Sequence, residues 1–135
     1  MNAALSFAAL AIPMMVNAAD LRVTVTNGPP GPATLYIALF DTADSFSAGR
    51  AMMSQKVEMH DGVAQWVFSG VPEGLYAIKS FADENGNARL DTNFIGLPVE
   101  RYGFSNNARG RMGPPTFDAA AVQVNAYSSI SFQLK

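Results

Sequence analysis

Short runs of alternating apolar and polar residues, each ended by turn-forming residues, constrain the fold of this chain most strongly. Leu21, Val23 and Val25 alternate with polar residues, which places them on one face of a half-buried strand. Residues 33–40 are apolar on both faces and predict a central strand. No segment has the 3.6-residue period of a long amphipathic helix, and the sequence contains no internal repeat. We therefore expect an all-β fold.

Turn signals separate the predicted strands at short intervals. The strongest is Asp61-Gly62, which lies between two alternating runs and predicts a two-residue hairpin turn. Further turns are predicted at 27–32 and 70–74, where proline and glycine are frequent. The predicted strands lie around 21–25, 33–40, 56–60, 63–68, 75–82, 122–124 and 130–134. This pattern favours an antiparallel β-sandwich of about seven strands, transthyretin-like or immunoglobulin-like in type, with one long polar loop containing a short helical turn.

Two segments are expected to contain a helical turn. Residues 41–52 have no period, and Asp41 or Asp44 is the expected cap of a turn within this loop. Residues 113–120 have the composition of a short helix start, with Thr116 as the N-cap.

The first 18 residues are predicted to be a cleaved signal peptide. They contain an apolar run that is too short to cross a bilayer comfortably, and every charged side chain lies at or after Asp20. Val16 and Ala18 fit the small-residue positions that precede a signal-peptidase site. Cleavage there leaves 19–135 as a single domain that is periplasmic or secreted, with no transmembrane segment. An uncleaved anchor and a buried N-terminal element are the alternatives.

Composition excludes several kinds of site. The 135 residues include no cysteine, which excludes disulfides, thiol nucleophiles and cysteine-ligated metals. A net charge of −2 argues against nucleic acid as a partner, because phosphate neutralisation needs a basic patch. The single histidine, His60, flanks the Asp61-Gly62 turn and is expected to be exposed. No phosphate-binding or serine-hydrolase motif is present. We therefore favour a function without catalysis.

A calcium-binding spacing begins at the end of the predicted strand 75–82. Positions 1, 3, 5, 7 and 9 of such a loop are Asp83, Asn85, Asn87, Arg89 (through its carbonyl) and Asp91. Position 6 is Ala88 where glycine is usual, and position 12 is Phe94 where a bidentate glutamate is usual, although Glu100 could reach back. The spacing predicts a weak Ca²⁺ site in the loop 83–93. The alternative is that these residues cap their own backbone in turns.

Residues 98–110 combine amides, a guanidinium group and an aromatic ring, and predict a polar ligand-recognition loop. Its candidate ligand-binding residues are Glu100, Tyr102, Ser105, Asn106, Asn107 and Arg109. The expected partner is a protein or a glycan, recognised through a sugar, a carboxylate or a peptide terminus. The alternative is that the same side chains satisfy backbone groups, with Arg109 paired to Asp91 or Glu100.

The stretch from Phe81 to Gly110 reads F-x-D-x-N-G-N-x-x-L-D-x-N-x-x-G-x-P-x-E-x-Y-G-F-S-N-N-A-R-G. With GLYAIKSFAD before it and GPPTFDAA after it, this text resembles a family of bacterial exported proteins, the domain of unknown function number 2141. The resemblance implies export and a small β-sandwich, and it implies no reaction.

Two functions from other classes remain open. A hydrolase-type enzyme would use Asp83, Asp91 and Glu100, provided that these acids converge in a pocket and have perturbed pKa values. A structural accessory protein would dock its partner through the sheet. An exposed apolar patch around Tyr36 and Trp66 would favour that function, although Trp66 is expected to lie in the core.

Overall fold

The structure, a computed structural model of the chain, describes residues 17–91 and 98–135. The predicted signal peptide lies outside the described residues except for its last two. The first strand begins at Ala18, so cleavage at the predicted position removes only its first residue. Phe94, at position 12 of the predicted calcium loop, also lies outside the described residues. Among the residues described, no helix is both long and apolar enough to cross a membrane.

Across the two described ranges the chain forms eight strands, two short α-helices and one 3-10 turn. The strands are β1 Ala18–Thr26, β2 Ala33–Phe40, β3 Met53–Met59, β4 Ala64–Pro72, β5 Gly74–Asp83, β6 Tyr102–Phe104, β7 Val122–Val124 and β8 Tyr127–Gln133. The helices are α1 Ala43–Ala48 and α2 Phe117–Ala120, and the 3-10 turn is Ser105–Asn107. The expectation of a β-rich fold is confirmed. The strand that sequence analysis missed is β6, which lies inside the predicted polar loop.

The strands form two sheets. One has three strands in the order β4-β1-β8, and the other has the order β3-β2-β5-β6, with β7 pairing with β5 as its fifth strand. The prediction of purely antiparallel pairing is wrong for one pair, because β1 and β8 run parallel from Asp20 to Thr26. Alternation decides which face a side chain occupies but not the direction of the neighbouring strand. A parallel pair needs a long connection, and nearly the whole chain separates these two strands.

One large core combines side chains from both sheets. Leu21, Val23 and Val25 of β1 are at most 1% exposed, as their alternation predicted. From β2 and β8 the core receives Leu35, Ile37, Leu39 and Phe132. Trp66 is half-buried and packs against this core, which confirms its predicted place. Each fully buried side chain of this size contributes about 1.5–3 kcal/mol through removal of apolar surface from water.

A second, smaller core covers part of the opposite face of the five-stranded sheet. It consists of Phe40 from β2, Phe46 from α1, Ala77 from β5 and Ala120 from α2. The rings of Phe40 and Phe46 meet edge to face with centroids 5.4 Å apart. This second core explains why β2 is apolar on both faces: one face supplies the main core and the other supports the two short helices.

The helix caps are partly those predicted. Thr116 caps α2, since its hydroxyl oxygen accepts a hydrogen bond from the backbone N–H of Ala119 at 3.2 Å. The prediction of Asp41 or Asp44 as the cap of α1 is wrong. Thr42 holds that position and accepts from the N–H of Ser45 at 3.0 Å.

The predicted hairpin turn is confirmed, whereas a second predicted turn is shorter than expected. Asp61 and Gly62 have φ of 51° and 75°, the positive values that a two-residue hairpin turn requires. His60 and Val63 pair on either side of that turn. At 70–74 the strands continue further than proline and glycine suggested, and β4 and β5 leave a single residue between them.

Candidate functional site

The Asp/Asn loop, which we define as residues 83–91, begins where β5 ends. Asp83 is 4% exposed, and its two carboxylate oxygens accept the backbone N–H groups of Gly86 at 3.0 Å and Ala88 at 2.9 Å. Ala88 has a φ of 61°, a left-handed conformation that costs an alanine about 1–2 kcal/mol. The bond from its N–H to Asp83 holds it there, at the position where calcium loops usually have glycine.

The amide side chains of this loop point at its last carboxylate. Asn87 donates from Nδ2 to Oδ1 of Asp91 at 2.5 Å, and Asn85 donates from Nδ2 to Oδ2 of the same residue. Their own carbonyl oxygens accept backbone N–H groups two residues further on. The hydrogen bonds from Asn87 and then Asn85 hold the pKa of the Asp91 carboxyl below its usual value, and the charge of Arg89 adds to this effect.

Glu100 joins the two ends of the Asp/Asn loop. It is 6% exposed, and its carboxylate oxygens accept the backbone N–H of Glu84 at 2.9 Å and that of Asp91 at 3.0 Å. The sequence suggested that Glu100 could reach back to this loop, and its side chain does so. Its observed partners are two backbone N–H donors, so Glu100 stabilises the conformation of the loop.

The Asp/Asn loop offers a metal ion three kinds of oxygen ligand: carboxylates, side-chain amides and backbone carbonyls. Within residues 17–91 and 98–135, no three His, Cys, Asp or Glu side chains are grouped as a metal site. A cation here would therefore depend on amide and carbonyl oxygens as well as on Asp83 and Asp91. A carboxylate oxygen that accepts one N–H keeps a further lone pair, and rotation of an asparagine amide exchanges its oxygen and nitrogen. In the observed arrangement Asn85 and Asn87 present N–H donors to Asp91, so a hard cation, which prefers oxygen ligands, would require both amides to rotate.

The three polar residues of the 3-10 turn are hydrogen-bonded within the chain. Ser105 is fully buried, and its hydroxyl accepts from the N–H of Ile78 at 2.9 Å and donates to the carbonyl of Ala120 at 2.5 Å. Asn107 accepts the N–H of Gln133 at 2.9 Å.

Asn106 donates from its amide to the carbonyls of Ala119 and Ala121 at 3.4 and 3.3 Å. Both asparagines of the turn have a positive φ, 64° for Asn106 and 48° for Asn107, which asparagine tolerates better than most residues. In the structure, these three predicted ligand residues tie β5, α2 and β8 together.

Tyr102 and Arg109 line a cavity of about 740 Å³, which we call the loop groove. The groove is lined by Asn27, Leu90, Pro98, Tyr102, Gly103, Phe104, Asn107, Ala108, Arg109, Gly110, Gly113, Pro114, Pro115, Gln133, Leu134 and Lys135. The charged side chains in this lining are Arg109 and Lys135. The predicted pairing of Arg109 with Asp91 or Glu100 is wrong: among the described residues, His60–Glu58 at 3.9 Å is the single ion pair within 4 Å.

A family model described as an uncharacterized protein conserved in bacteria (DUF2141) matches residues 23–131, which is more than half of the chain. The chain belongs to the DUF2141 family. This match confirms the resemblance seen between Phe81 and Gly110, and it spans both the Asp/Asn loop and most of the loop groove. Neither a curated protein nor a solved structure matches the chain.

Three segments far apart in sequence form the loop groove of this DUF2141 domain, and sequence analysis found only the central one. Asn27 comes from the turn after β1, and its amide donates to the carbonyl of Leu134 at 2.6 Å. Arg101 donates to the carbonyls of Asn27 and Gly28 at 2.9 and 3.0 Å and holds that turn in place. No spacing rule connects these segments, so the sequence carried no signal for Asn27 or Lys135 at the groove.

An apolar patch that joins Tyr36 and Trp66, which would favour docking through the sheet, is not formed. Tyr36 lies on β2, on the face of the five-stranded sheet opposite the main core, whereas Trp66 lies on β4 of the other sheet and packs against that core. The two residues therefore do not share a surface. The observation that was expected to favour docking of a partner around these residues is absent from the DUF2141 domain.

Proposed function

We propose that this DUF2141 domain is an exported β-sandwich, transthyretin-like or immunoglobulin-like in type, that binds an acidic glycan in the loop groove without catalysing a reaction. The shared core of the two sheets supports the sandwich architecture. The observation that carries the proposed function is the charge of the loop groove. Its lining includes the exposed guanidinium of Arg109 and no acidic side chain, although the chain as a whole has a net charge of −2.

The chemistry of the groove favours an acidic sugar over a neutral one. An arginine guanidinium presents parallel N–H donors that match a carboxylate, and Arg109 is exposed to solvent. Tyr102 and Phe104 line the same groove and meet edge to face with centroids 6.0 Å apart, so the face of one ring can support the apolar face of a sugar. Glu100, Ser105 and Asn106 do not line this groove, so their contribution to binding is to hold its walls.

A matched pair of ligands tests the proposed function. A uronic-acid oligosaccharide and its neutral glucose counterpart are titrated into the domain, with affinity measured by calorimetry. We expect binding of the acidic ligand and at least about tenfold weaker binding of the neutral one. Arg109→Gln is expected to abolish this preference. Arg111→Gln removes the same charge from an exposed residue outside the groove and is expected to retain it. Equal binding of both sugars contradicts the proposal.

We also propose that Ca²⁺ binds the Asp/Asn loop, through Asp83, Asn85, Asn87, the carbonyl of Arg89 and Asp91. With two carboxylates in this set, the affinity is expected to be weak, with a Kd of about 10⁻⁴–10⁻³ M, in the range of extracellular calcium sites. The approach of Asn85 and Asn87 to the Asp91 carboxylate, together with the calcium-loop spacing, supports this proposal. Calcium would supply a positive charge that orders the loop beside Leu90, a residue of the groove wall.

Calorimetry with CaCl₂ and with a chelator tests the calcium proposal. We expect measurable heat and a higher Tm in calcium, and loss of both in Asp91→Asn. Asp44→Asn in α1 is the matched control, since it removes an exposed carboxylate far from the loop in sequence. Absence of heat, together with an identical Tm in calcium and in chelator, removes the calcium proposal and leaves the loop as a set of hydrogen-bonded turns.

A hydrolase-type function receives less support from the three acids. Asp83 and Glu100 are buried, and their four carboxylate oxygens accept backbone N–H groups. A general acid needs a raised pKa, whereas the pKa of Asp91 is lowered. Incubation of the acidic oligosaccharide with the domain is expected to release no new reducing ends. Release of such ends, and its loss in Asp91→Asn, would favour the enzyme.

A further inference from the structure

A second groove lies on the face of the five-stranded sheet opposite the main core. Strand register places Tyr36 of β2 beside Phe81 of β5, and Phe81 beside Tyr102 of β6, so three aromatic residues form one row across three strands. The rings of Tyr36 and Phe81 are stacked, with centroids 5.0 Å apart and planes 5° from parallel. All three residues are partly exposed. Because the rings of Tyr36 and Phe81 face each other, the row presents its ring edges, and it lies outside the small core beneath the two helices.

The neighbouring row forms the floor of the groove. Ala38, Lys79 and Phe104 pair across the same three strands. Because alanine has a short side chain, Ala38 leaves a depression between the aromatic row and the small core around Phe40. The cavity has a volume of about 670 Å³, within the range of small-molecule sites. We call it the sheet groove, and the lining residues on which its chemistry depends are Tyr36, Ala38, Lys56, Lys79, Phe81 and Tyr102.

The ammonium group of Lys79, in the floor of the sheet groove, is held in place by two aromatic rings and one hydrogen bond. Its ammonium group lies 4.2 Å from the ring centroid of Phe46 and 5.0 Å from that of Phe40, and it donates to the carbonyl of Phe46 at 2.5 Å. One of its three N–H donors is thus used, and two remain. Partial burial lowers the pKa of Lys79, as expected for a cation that has lost part of its water shell.

The two charged side chains that line the sheet groove are both lysines. Lys56 on β3 lies 5.5 Å from the ring centroid of Tyr36, at the other end of the aromatic row. Neither Lys56 nor Lys79 has a carboxylate within 4 Å among the described residues, and no acidic side chain lines the groove. Aromatic ring edges carry partial positive charge and pack well against the face of another ring, so this row, with cations at its floor and at its end, is complementary to an aromatic ring that carries a negative charge.

We propose that the sheet groove binds a small planar aromatic carboxylate. Its ring would pack with one face against the ring edges of Tyr36 and Phe81, and its carboxylate would accept hydrogen bonds from Lys79 and lie close to Lys56. This site goes beyond the glycan site of the loop groove: the two grooves share Leu90, Tyr102 and Phe104, but the two lysines line only the sheet groove and Arg109 lines only the other. The few polar groups of the sheet groove favour an aromatic acid over a sugar, which needs many hydrogen-bond partners.

Three probe compounds separate the ring from the charge. 2-Naphthoate carries both, 2-naphthamide carries the same ring without charge, and cyclohexanecarboxylate carries the charge without a flat ring. We expect saturable binding of 2-naphthoate, measured by calorimetry and by chemical-shift changes at Lys79 and Phe81. The other two compounds are expected to bind at least about tenfold more weakly. Equal affinity for the amide, or no saturable binding of 2-naphthoate up to about 10 mM, overturns the proposal.

Substitutions place the binding in the sheet groove. Lys79→Met is expected to weaken 2-naphthoate binding by about tenfold or more, and Lys56→Met, at an exposed position, by about threefold. Ala38→Leu fills the floor, keeps both charges and is expected to abolish binding. Arg22→Met is the matched control, because Arg22 is exposed on the three-stranded sheet. If Lys79→Met does not fold, the other two variants decide the result.

Two further outcomes overturn the proposal. In the first, 2-naphthoate binds with unchanged affinity to Ala38→Leu and to Lys56→Met, which places the ligand elsewhere. In the second, sedimentation shows self-association of the domain that blocks 2-naphthoate binding as protein concentration rises, which assigns the groove to a second copy of this chain. Binding that depends on the carboxylate, the flat ring and Ala38, in a protein that sediments as a monomer, supports it.

Discussion

Two asparagine-rich segments of this DUF2141 domain have similar compositions and different structural roles. In the Asp/Asn loop the amides of Asn85 and Asn87 point at the side chain of Asp91, near the surface. In the 3-10 turn the polar groups of Ser105 and Asn107 bond to backbone groups of distant elements. The comparison shows that polar composition alone does not identify a ligand site. In the 3-10 turn, polar residues of the same types form hydrogen bonds that hold distant elements of the fold together.

The largest expected effect is at Ser105. Ser105→Ala leaves the buried N–H of Ile78 and the carbonyl of Ala120 without their side-chain partner, which costs about 1–3 kcal/mol of unfolding free energy. Chemical denaturation measures this cost. Ser129→Ala, at an exposed position of β8, is the control and is expected to change stability by less than about 0.5 kcal/mol. Equal losses of unfolding free energy for the two serines would contradict the structural role that the comparison gives to the 3-10 turn.

The next effect is at Glu100, which braces the Asp/Asn loop from a buried position. Glu100→Gln loses one charge-assisted acceptor and places an amide group against a backbone N–H, at a cost of about 1–2 kcal/mol. Hydrogen exchange is expected to quicken at the amides of Glu84 and Asp91. Glu73→Gln, an exposed substitution, serves as control. Unchanged exchange at both amides would show that the loop does not depend on this brace.

Asn107 accepts a hydrogen bond and also has a positive φ, and two substitutions separate the contributions of these two features to stability. Asn107→Ala loses the bond to Gln133 and strains the backbone, with an expected cost of about 1–2 kcal/mol. Asn107→Gly loses only the bond and tolerates the φ of 48°, so we expect a smaller loss of stability. Thermal denaturation orders the two variants. A glycine variant less stable than the alanine variant contradicts the role of the backbone conformation.

In the Asp/Asn loop the corresponding substitution is expected to change stability very little. Asn87→Ala removes two exposed hydrogen bonds, one to Asp91 and one from the N–H of Arg89, so the unfolding free energy in chelator is expected to stay within about 0.5 kcal/mol of the wild type. Denaturation in chelator and in calcium measures both states, and we expect the calcium-dependent stabilisation to be lost. A large loss of stability in chelator would make this loop a structural connector like the 3-10 turn.

The smallest expected effect is a response to acid that is confined to the Asp/Asn loop. Because hydrogen bonds lower the pKa of Asp91, its contacts with Asn87 and Asn85 are fully present at pH values above the usual pKa of an aspartate. They are lost as the pH falls through the lowered pKa. Side-chain amide NMR signals of Asn85 and Asn87 are expected to follow this titration. The amide of Asn106 donates to backbone carbonyls, which do not titrate, and is the internal control. Parallel shifts of all three amides would contradict the assignment.

Elements that depend on local pattern were predicted well. The alternation in β1, the Asp61-Gly62 turn and the Thr116 cap all follow from interactions between residues close in sequence. Strand β6 was missed because Tyr102–Phe104 is short and lies among loop-forming residues. Its pairing depends on β5, more than twenty residues earlier, and on the bridge between Tyr102 and Lys135. Such partners have no signature in a short window of sequence.

Less of the candidate functional site than of the fold could be predicted from the sequence. The sequence indicated that Asp83, Asn85, Asn87 and Asp91 belong to one loop, since their spacing is local. It did not indicate that Ser105 is buried, nor that Lys79 lies beside the rings of Phe40 and Phe46. The alternation of Ile78 and Lys79 in an apolar strand was an available signal, because it places a cation on the same face as Phe81.

The sequence by itself determined the family, the β-rich fold, the faces of the strands and the residues of the Asp/Asn loop, because these depend on alternation, turn chemistry and local spacing. Only the tertiary structure decided that β1 and β8 run parallel, that the residues of the 3-10 turn serve the backbone, and that two grooves lined by cations meet at Tyr102. Those features arise from pairing between distant strands. Register and burial, which fix such pairing, are properties of the whole packed chain.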